Sequence, residues 1–149
     1  MKLLIESWRK FVNEAKEKEP EVVTFDFDDT IRMTEDGRAN PIVITRMKEL
    51  KAKGVTVYVV TSRKDTKDNR LFITDFLDDH NVPRDDLFLT DLADKWSKLR
   101  DLKSDMHFDD DDEEFKAIQY HIDDFPEDKK DIKLMKIDWK TGKFDEFSS

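Results

Sequence analysis

Apolar positions change period along the chain. Leu4, Trp8, Phe11, Val12 and Ala15 recur at helical spacing and predict a helix over 3–18, closed by Glu19-Pro20-Glu21. Val22 to Phe25 is a run of β-branched and aromatic residues with the composition of a buried strand. Residues 31–39 are polar and turn-rich, a loop. Asn40-Pro41 then reads as an N-cap followed by proline in the first helical turn; Val43, Ile44, Met47 and Leu50 form the buried stripe and Gly54 supplies the stop. Val55 to Val60 is a second strand. A helix over 69–80 carries Phe72, Ile73, Phe76 and Leu77 on one face, and a short strand over 87–90 follows it. A helix over 91–103 has Leu92, Trp96, Leu99 and Leu102 in its stripe. Residues 106–108 make a further short strand, and Phe115 and Ile118 mark the helix after it. From 132 to 147 the pattern alternates around Lys140-Thr141-Gly142-Lys143, a hairpin signal.

Strand, helix, strand in repetition requires right-handed crossovers and a parallel sheet covered on both faces. The expected fold is therefore α/β: a three-layer, Rossmann-like domain with a mainly parallel central sheet and a C-terminal β-hairpin. A length of 149 residues fits one domain. Its parts would be the helix over 3–18, a core over about 22–121 and the hairpin over about 132–147.

Charge narrows the partners. Charged residues make up 42% of the chain and the net charge is -9, which argues against binding nucleic acid or an anionic membrane through the surface as a whole, though not through a local basic pocket. Without cysteine there is neither a disulfide nor a thiolate metal site. No apolar run approaches the roughly 20 residues of a membrane span, and the N-terminus turns charged too early for a signal peptide. A cytoplasmic protein with no membrane partner is the expectation.

The candidate chemistry begins where the first strand should end. Asp26, Asp28 and Asp29 arrive together, and like charges so close need a proton or a cation between them. Open parallel sheets place ligands outside the carboxyl ends of their strands. Thr61 closes the second strand, and Asp109 and Asp110 follow the strand at 106–108, so all would stand on one rim. Lys95 opens the helix feeding that last strand. Taken singly, these are a turn hydroxyl, a solvated lysine and an acidic helix start. Together they divide the labour of phosphoryl transfer. A carboxylate nucleophile needs charge compensation from a hard divalent cation with oxygen ligands, and magnesium fits; a lysine and a hydroxyl would hold the phosphoryl oxygens.

In this order the residues resemble the four signatures of the haloacid dehalogenase superfamily of aspartate-nucleophile phosphotransferases. Asp26-Phe27-Asp28-Asp29-Thr30 is similar to the first signature, Thr61 to the second, Lys95 with Leu99 and Leu102 to the third, and Phe108-Asp109-Asp110 to the fourth. The resemblance spans about residues 22–115. It implies a Mg2+-dependent phosphatase working through an aspartyl-phosphate. Asp26 would be the nucleophile and Asp28 the acid and base, with Thr30 orienting that pair. Thr61, Arg63, Lys95 and Arg38 would complete the phosphate-binding set with Thr30. The metal would be held by Asp26, the Asp28 backbone carbonyl, Asp109 and Asp110. Asp29 stands where many members have glycine. The run from Asp109 to Glu114 leaves the frame of the fourth signature open by one or two residues, and Lys98 rivals Lys95.

Neither interval between signatures has room for a folded cap, so the site should be open. Thr61-Ser62-Arg63 and the Gly37-Arg38 loop resemble the phosphatase domain of phage-type polynucleotide kinases, which implies a nucleic-acid 3′-phosphate as substrate. A nucleotide or small-metabolite phosphatase, and an inactive metal-binding interaction module, are the alternatives. No Gly-x-x-x-x-Gly-Lys-Ser/Thr occurs, so no kinase half is present.

Overall fold

The computed structural model describes residues 19–124 and 131–148; the helix expected over 3–18 lies outside the described residues. Six strands form one sheet in the order β3-β2-β1-β4-β5-β6. They are β1 (Val22–Phe25), β2 (Thr56–Thr61), β3 (Asp86–Leu89), β4 (Met106–Asp109), β5 (Lys133–Ile137) and β6 (Phe144–Glu146). All neighbouring pairs are parallel except β5 with β6, which closes the C-terminal hairpin. The helices are α1 (Pro41–Ala52), α2 (Lys67–Asp79), α3 (Trp96–Asp101) and α4 (Asp112–Asp124).

Register explains the layers. Val23 and Phe25 of β1 lie beside Val57 and Val59 of β2, and Phe25 lies beside Phe108 of β4. These residues share one face and pack with Val43, Ile44, Met47 and Leu50 of α1 and Ile73 and Leu77 of α2. The rings of Phe25 and Phe108 stack at 4.5 Å. On the opposite face Val60 and Leu134 pack with Trp96 and Leu99 of α3 and Phe115 and Ile118 of α4. The result is the expected α/β/α arrangement, with a sheet apolar on both sides because both sides are covered.

Order within the sheet places the site. From β1 the chain builds outward through β2 to β3, with α1 and α2 on one face. It then returns to the other side of β1 as β4, with α3 and α4 on the other face. The strand order reverses between β1 and β4, which is where open α/β sheets leave a crevice at their carboxyl edge.

Two local expectations are corrected and one is extended. The helix expected over 91–103 is α3 alone, Trp96–Asp101. Asp91 and Leu92 take φ values of 56° and 69°, donating backbone N–H groups to the Arg63 and Ser62 carbonyls, so this turn is bound to the end of β2 and Leu92 is 75% exposed. Phe72 is not in the core stripe; it is exposed, with the Arg63 and Arg32 guanidinium groups over its ring. Asn40 caps α1 as expected, accepting from the Ile42 and Val43 N–H groups. Its amide also donates to the Thr30 and Gly142 carbonyls, tying the loop after β1 to the hairpin 102 residues away.

Candidate active site

Asp26 is the first residue past β1, and its N–H donates to the Phe108 carbonyl, which carries the β1–β4 pairing one residue further. Asp109 is the last residue of β4. The two carboxyl groups thus meet at the strand-order reversal. Between them lies Lys95, immediately before α3, with its side chain 3% exposed. Its Nζ donates to Asp26 Oδ1 at 2.8 Å and to Asp109 Oδ2 at 2.6 Å. Lys98, the rival, lies over the Phe88 ring instead.

Charge at this point depends on how many of the carboxyl groups are ionised. Burial works against the Lys95 charge, but attraction to Asp26 and Asp109 overrides it and raises the lysine's pKa. Burial also opposes ionisation of Asp109, yet Lys95 and then His107 hold its carboxyl well below the usual range. Asp26 is raised well above that range, by burial first and by the negative Asp109 next. Asp110, half-buried, is pushed up to about 7 by burial and by Asp109. Oxygens of Asp26, Asp109 and Asp110 lie within 4.8 Å of one another. Fully ionised, these three carboxylates and one ammonium leave two negative charges. A hard divalent cation such as magnesium matches that remainder and the all-oxygen donor set.

Further groups hold the carboxylates in place. Asp109 Oδ1 accepts from the Asp110 and Asp111 backbone N–H groups, and its Oδ2 meets His107 Nε2 at 2.9 Å. Burial lowers the His107 pKa and keeps the ring neutral. With Nε2–H donating to the Asp109 carboxylate, Nδ1 must accept, and the Thr24 hydroxyl at 2.8 Å is its donor. Thr24 in turn meets Ser104 Oγ at 2.9 Å. A line of buried polar contacts therefore runs from the sheet interior through His107 and Asp109 to Lys95 and Asp26. His107, Thr24 and Ser104 were not anticipated from sequence. The available signal was the two-residue period of a strand, which puts His107 on the same face as Asp109.

Thr30 is fully buried, and its Oγ1 donates to Asp26 Oδ2 at 3.5 Å. It stands behind Asp26, outside the residues that line the cleft. Asp28 is gripped by Arg63, whose Nε and Nη2 each donate at 2.8 Å to one of its oxygens. Its side chain consequently stands apart from the three-carboxylate cluster. Asp29, at φ 58°, occupies a left-handed position of the kind that favours glycine; its carboxylate accepts from the Thr34 N–H and hydroxyl, which ties the turn together. Arg38 is placed elsewhere than expected. It is exposed and paired with Asp36 two residues away, a short surface contact that keeps its guanidinium off the cleft. Of the acidic run, Asp111 accepts the Glu113 N–H and Asp112 to Glu114 form the first turn of α4, where negative charge complements the helix dipole. Asp109 and Asp110 are the members of the run whose oxygens cluster with those of Asp26.

These groups surround an open cleft of about 490 Å³, whose lining includes Asp26, Asp28, Thr61, Lys95, Asp109 and Asp110. No protein-family model matches the chain, and no curated protein matches it. Among solved structures, a chain of the Pnkp1/Rnl/Hen1 RNA repair complex is similar in fold, with a TM-score of 0.59 at 17% identity. The match covers 76% of this chain and 41% of that one, so the protein spans about two fifths of its neighbour.

The cleft mouth adds residues that sequence reasoning missed. Lys136 of β5 and Trp139 of the hairpin line it beside Ser62. Lys136 pairs with Asp112. Lys136 is reached by pairing, since β5 runs parallel to β4 with Lys136 beside Asp109. No described helix is long and apolar enough to cross a membrane.

Proposed function

We propose that this protein is a magnesium-dependent phosphatase of the haloacid dehalogenase type, acting on a phosphate monoester at a nucleic-acid 3′ end. One observation carries the reading: Asp26, Asp109, Asp110 and Lys95, far apart in sequence, converge at the strand-order reversal in an all-oxygen cluster that, fully ionised, leaves two negative charges for a cation to offset. The similarity to a chain of an RNA repair complex supports a polynucleotide substrate. So does the open cleft: among the described residues no folded cap covers it, and a macromolecular substrate closes such a site with its own bulk.

Asp26 attacks the phosphorus in line, forming a new P–O bond as the ester P–O bond breaks. Lys95 and Thr30 hold its two carboxyl oxygens in place for this attack. Once released from Arg63 and protonated from solvent, Asp28 gives that proton to the leaving oxygen; water then attacks the aspartyl-phosphate, its proton returns to Asp28, and inorganic phosphate leaves with Asp26 restored as a carboxylate. Both Asp28 oxygens are engaged by Arg63 in the free protein. An incoming phosphate dianion competes for the same guanidinium fork, so substrate binding frees Asp28 as it recruits Arg63. Thr61 lies at the rim, buried, where its hydroxyl meets a phosphoryl oxygen. Asp26, Asp109 and Asp110 would hold magnesium, which would supply neutralisation of the charge on the transferring group.

The test is hydrolysis of an aryl phosphate with magnesium, wild type against Asp26→Asn. The expected result is turnover that needs the metal and vanishes in the variant. Equal rates for the two proteins would sink the phosphatase reading and leave a metal-binding module. A 3′-phosphorylated oligonucleotide set against free nucleotides then decides the substrate class; faster turnover of the free nucleotides favours a nucleotide phosphatase.

A further inference from the structure

Trp139 has a place that the phosphatase chemistry does not explain. A large indole, 46% exposed, sits in the β5–β6 hairpin; among the described residues the other exposed aromatic side chains are Phe72 and Tyr120. Three clefts meet at it. The first is the catalytic cleft with Asp26 and Lys95, the second follows the hairpin past Lys136 and Lys143, and the third lies under the loop of Thr34 and Glu35. Asp110 lines all three as well, so the indole shares each cleft with a carboxylate of the Asp26–Asp109–Asp110 cluster. The hairpin is not a loose flap. Gly142, at its turn, is buried and clamped by Asn40, whose amide donates to its carbonyl at 3.0 Å.

The charges around the indole are mixed. The protein carries a net charge of -9, and the hairpin presents Lys136, Lys140 and Lys143 within eight residues with Asp138 among them; Lys136 is paired with Asp112. Lys140 Nζ lies over the indole at 5.4 Å from the ring. An exposed aromatic surface flanked by lysines is the combination that holds single-stranded nucleic acid, with bases stacking on the ring and cations meeting the backbone. The cleft's other walls are carboxylates, which oppose a long polyanion. Only a short end fits both conditions.

We infer that Trp139 is the stacking platform for the terminal nucleobase of a single-stranded end whose phosphate enters the catalytic cleft, with Lys140 and Lys143 meeting the adjoining phosphodiester. This deepens the phosphatase reading and rests on it for the position of the phosphate. It makes Trp139 a specificity residue: the base next to the scissile phosphate is held without being identified, because every base has a π-face.

The experiment measures kcat/KM for wild type, Trp139→Ala and Trp139→Phe on short 3′-phosphorylated oligonucleotides that end either in a base or in an abasic sugar. Removing one base–aromatic stack costs about 5- to 150-fold. That loss is expected for Trp139→Ala on the base-bearing end and for wild type on the abasic end, with Trp139→Phe in between. The two losses should not add when combined. In parallel, an oligonucleotide should quench tryptophan fluorescence in Asp26→Asn protein and not in Asp26→Asn/Trp139→Phe. Wild-type turnover with equal Trp139→Ala losses on both ends, and no Trp139-dependent quenching, overturns the inference and leaves the phosphatase reading standing. Trp139-dependent quenching with no magnesium-dependent turnover of any phosphate ester does the reverse. Absence of both signals overturns both.

Discussion

Replacing Lys95 by methionine keeps most of the side-chain volume and removes one charge from the centre of the site. In the wild-type protein the ammonium lies 2.8 Å from Asp26 and 2.6 Å from Asp109, and the three side chains are 3%, 9% and 1% exposed. At an effective dielectric of about 20, opposite unit charges roughly 4 Å apart attract by about 4 kcal/mol. Leaving one partner of a buried pair uncompensated costs about 3–5 kcal/mol. Asp26, already raised by burial and by Asp109, escapes part of that loss by taking a proton, so the cost falls chiefly on Asp109. A loss of about 3–5 kcal/mol is expected in the absence of divalent cations. A domain of this size has on the order of 5–15 kcal/mol in all, and the midpoint should drop by roughly 10 °C. Urea denaturation at neutral pH in EDTA reads the loss. Magnesium should then restore more stability to Lys95→Met than it adds to wild type, because the ion replaces the missing positive charge as well as filling its own site; saturation at about 100 times Kd is worth about 2.7 kcal/mol. A variant within about 1 kcal/mol of wild type in EDTA would refute the claim that Lys95 holds these carboxylates together.

Other expectations follow from neighbouring contacts. His107→Phe removes the Nε2–H that orients Asp109, so the magnesium concentration for half-maximal turnover should rise about 10- to 100-fold while activity at saturating metal is largely kept; an unchanged metal dependence would remove His107 from the site's support. Asn40→Ala loses the cap of α1 and leaves the Thr30 and Gly142 carbonyls without their donor, so denaturation should show a loss of about 1–3 kcal/mol. Gly142→Ala should be unfavourable for two reasons, φ +77° and a Cβ placed 2.7 Å from Asn40 Oδ1. Asp85 has its pKa lowered: desolvation opposes this, but the Lys51 ammonium and the Val57 N–H outweigh it. A depressed carboxyl stabilises above its unfolded pKa, and that contribution is lost as pH falls through the folded one. The acid limb of the stability curve should therefore flatten in Asp85→Asn, by under about 1 kcal/mol because the pair is partly exposed.

Much of the fold was legible because local rules and tertiary outcome agree. The apolar runs of β1 and β2 demand cover on both faces, and Asn40, Pro41 and Gly54 punctuate α1 by dihedral preference and hydrogen bonding alone. Asp26, Asp109, Thr61 and Lys95 were identifiable as a set because carboxyl ends of parallel strands share one rim, so strand order in sequence already limits who can meet. Where local pattern misled, a distant partner decided. Leu92 matched a helical stripe, but the hydrogen bond from its N–H to Ser62 holds it in a left-handed turn. Arg38 and Arg63 were equivalent as charges in a sequence; only the folded chain gives one to Asp36 at the surface and the other to Asp28 at the site.

By itself, then, the order of residues determined most of the described elements, their parallel connection and the carboxylates that had to share a rim, because period, chirality of the crossover and like-charge repulsion are properties of short stretches. Tertiary structure alone decided that Lys95 rather than Lys98 is buried between Asp26 and Asp109, that His107 stands behind them, and that Trp139 faces the same cleft. Those facts depend on which side chains lose their water together, and desolvation is a property of the assembled layers that no segment carries in isolation.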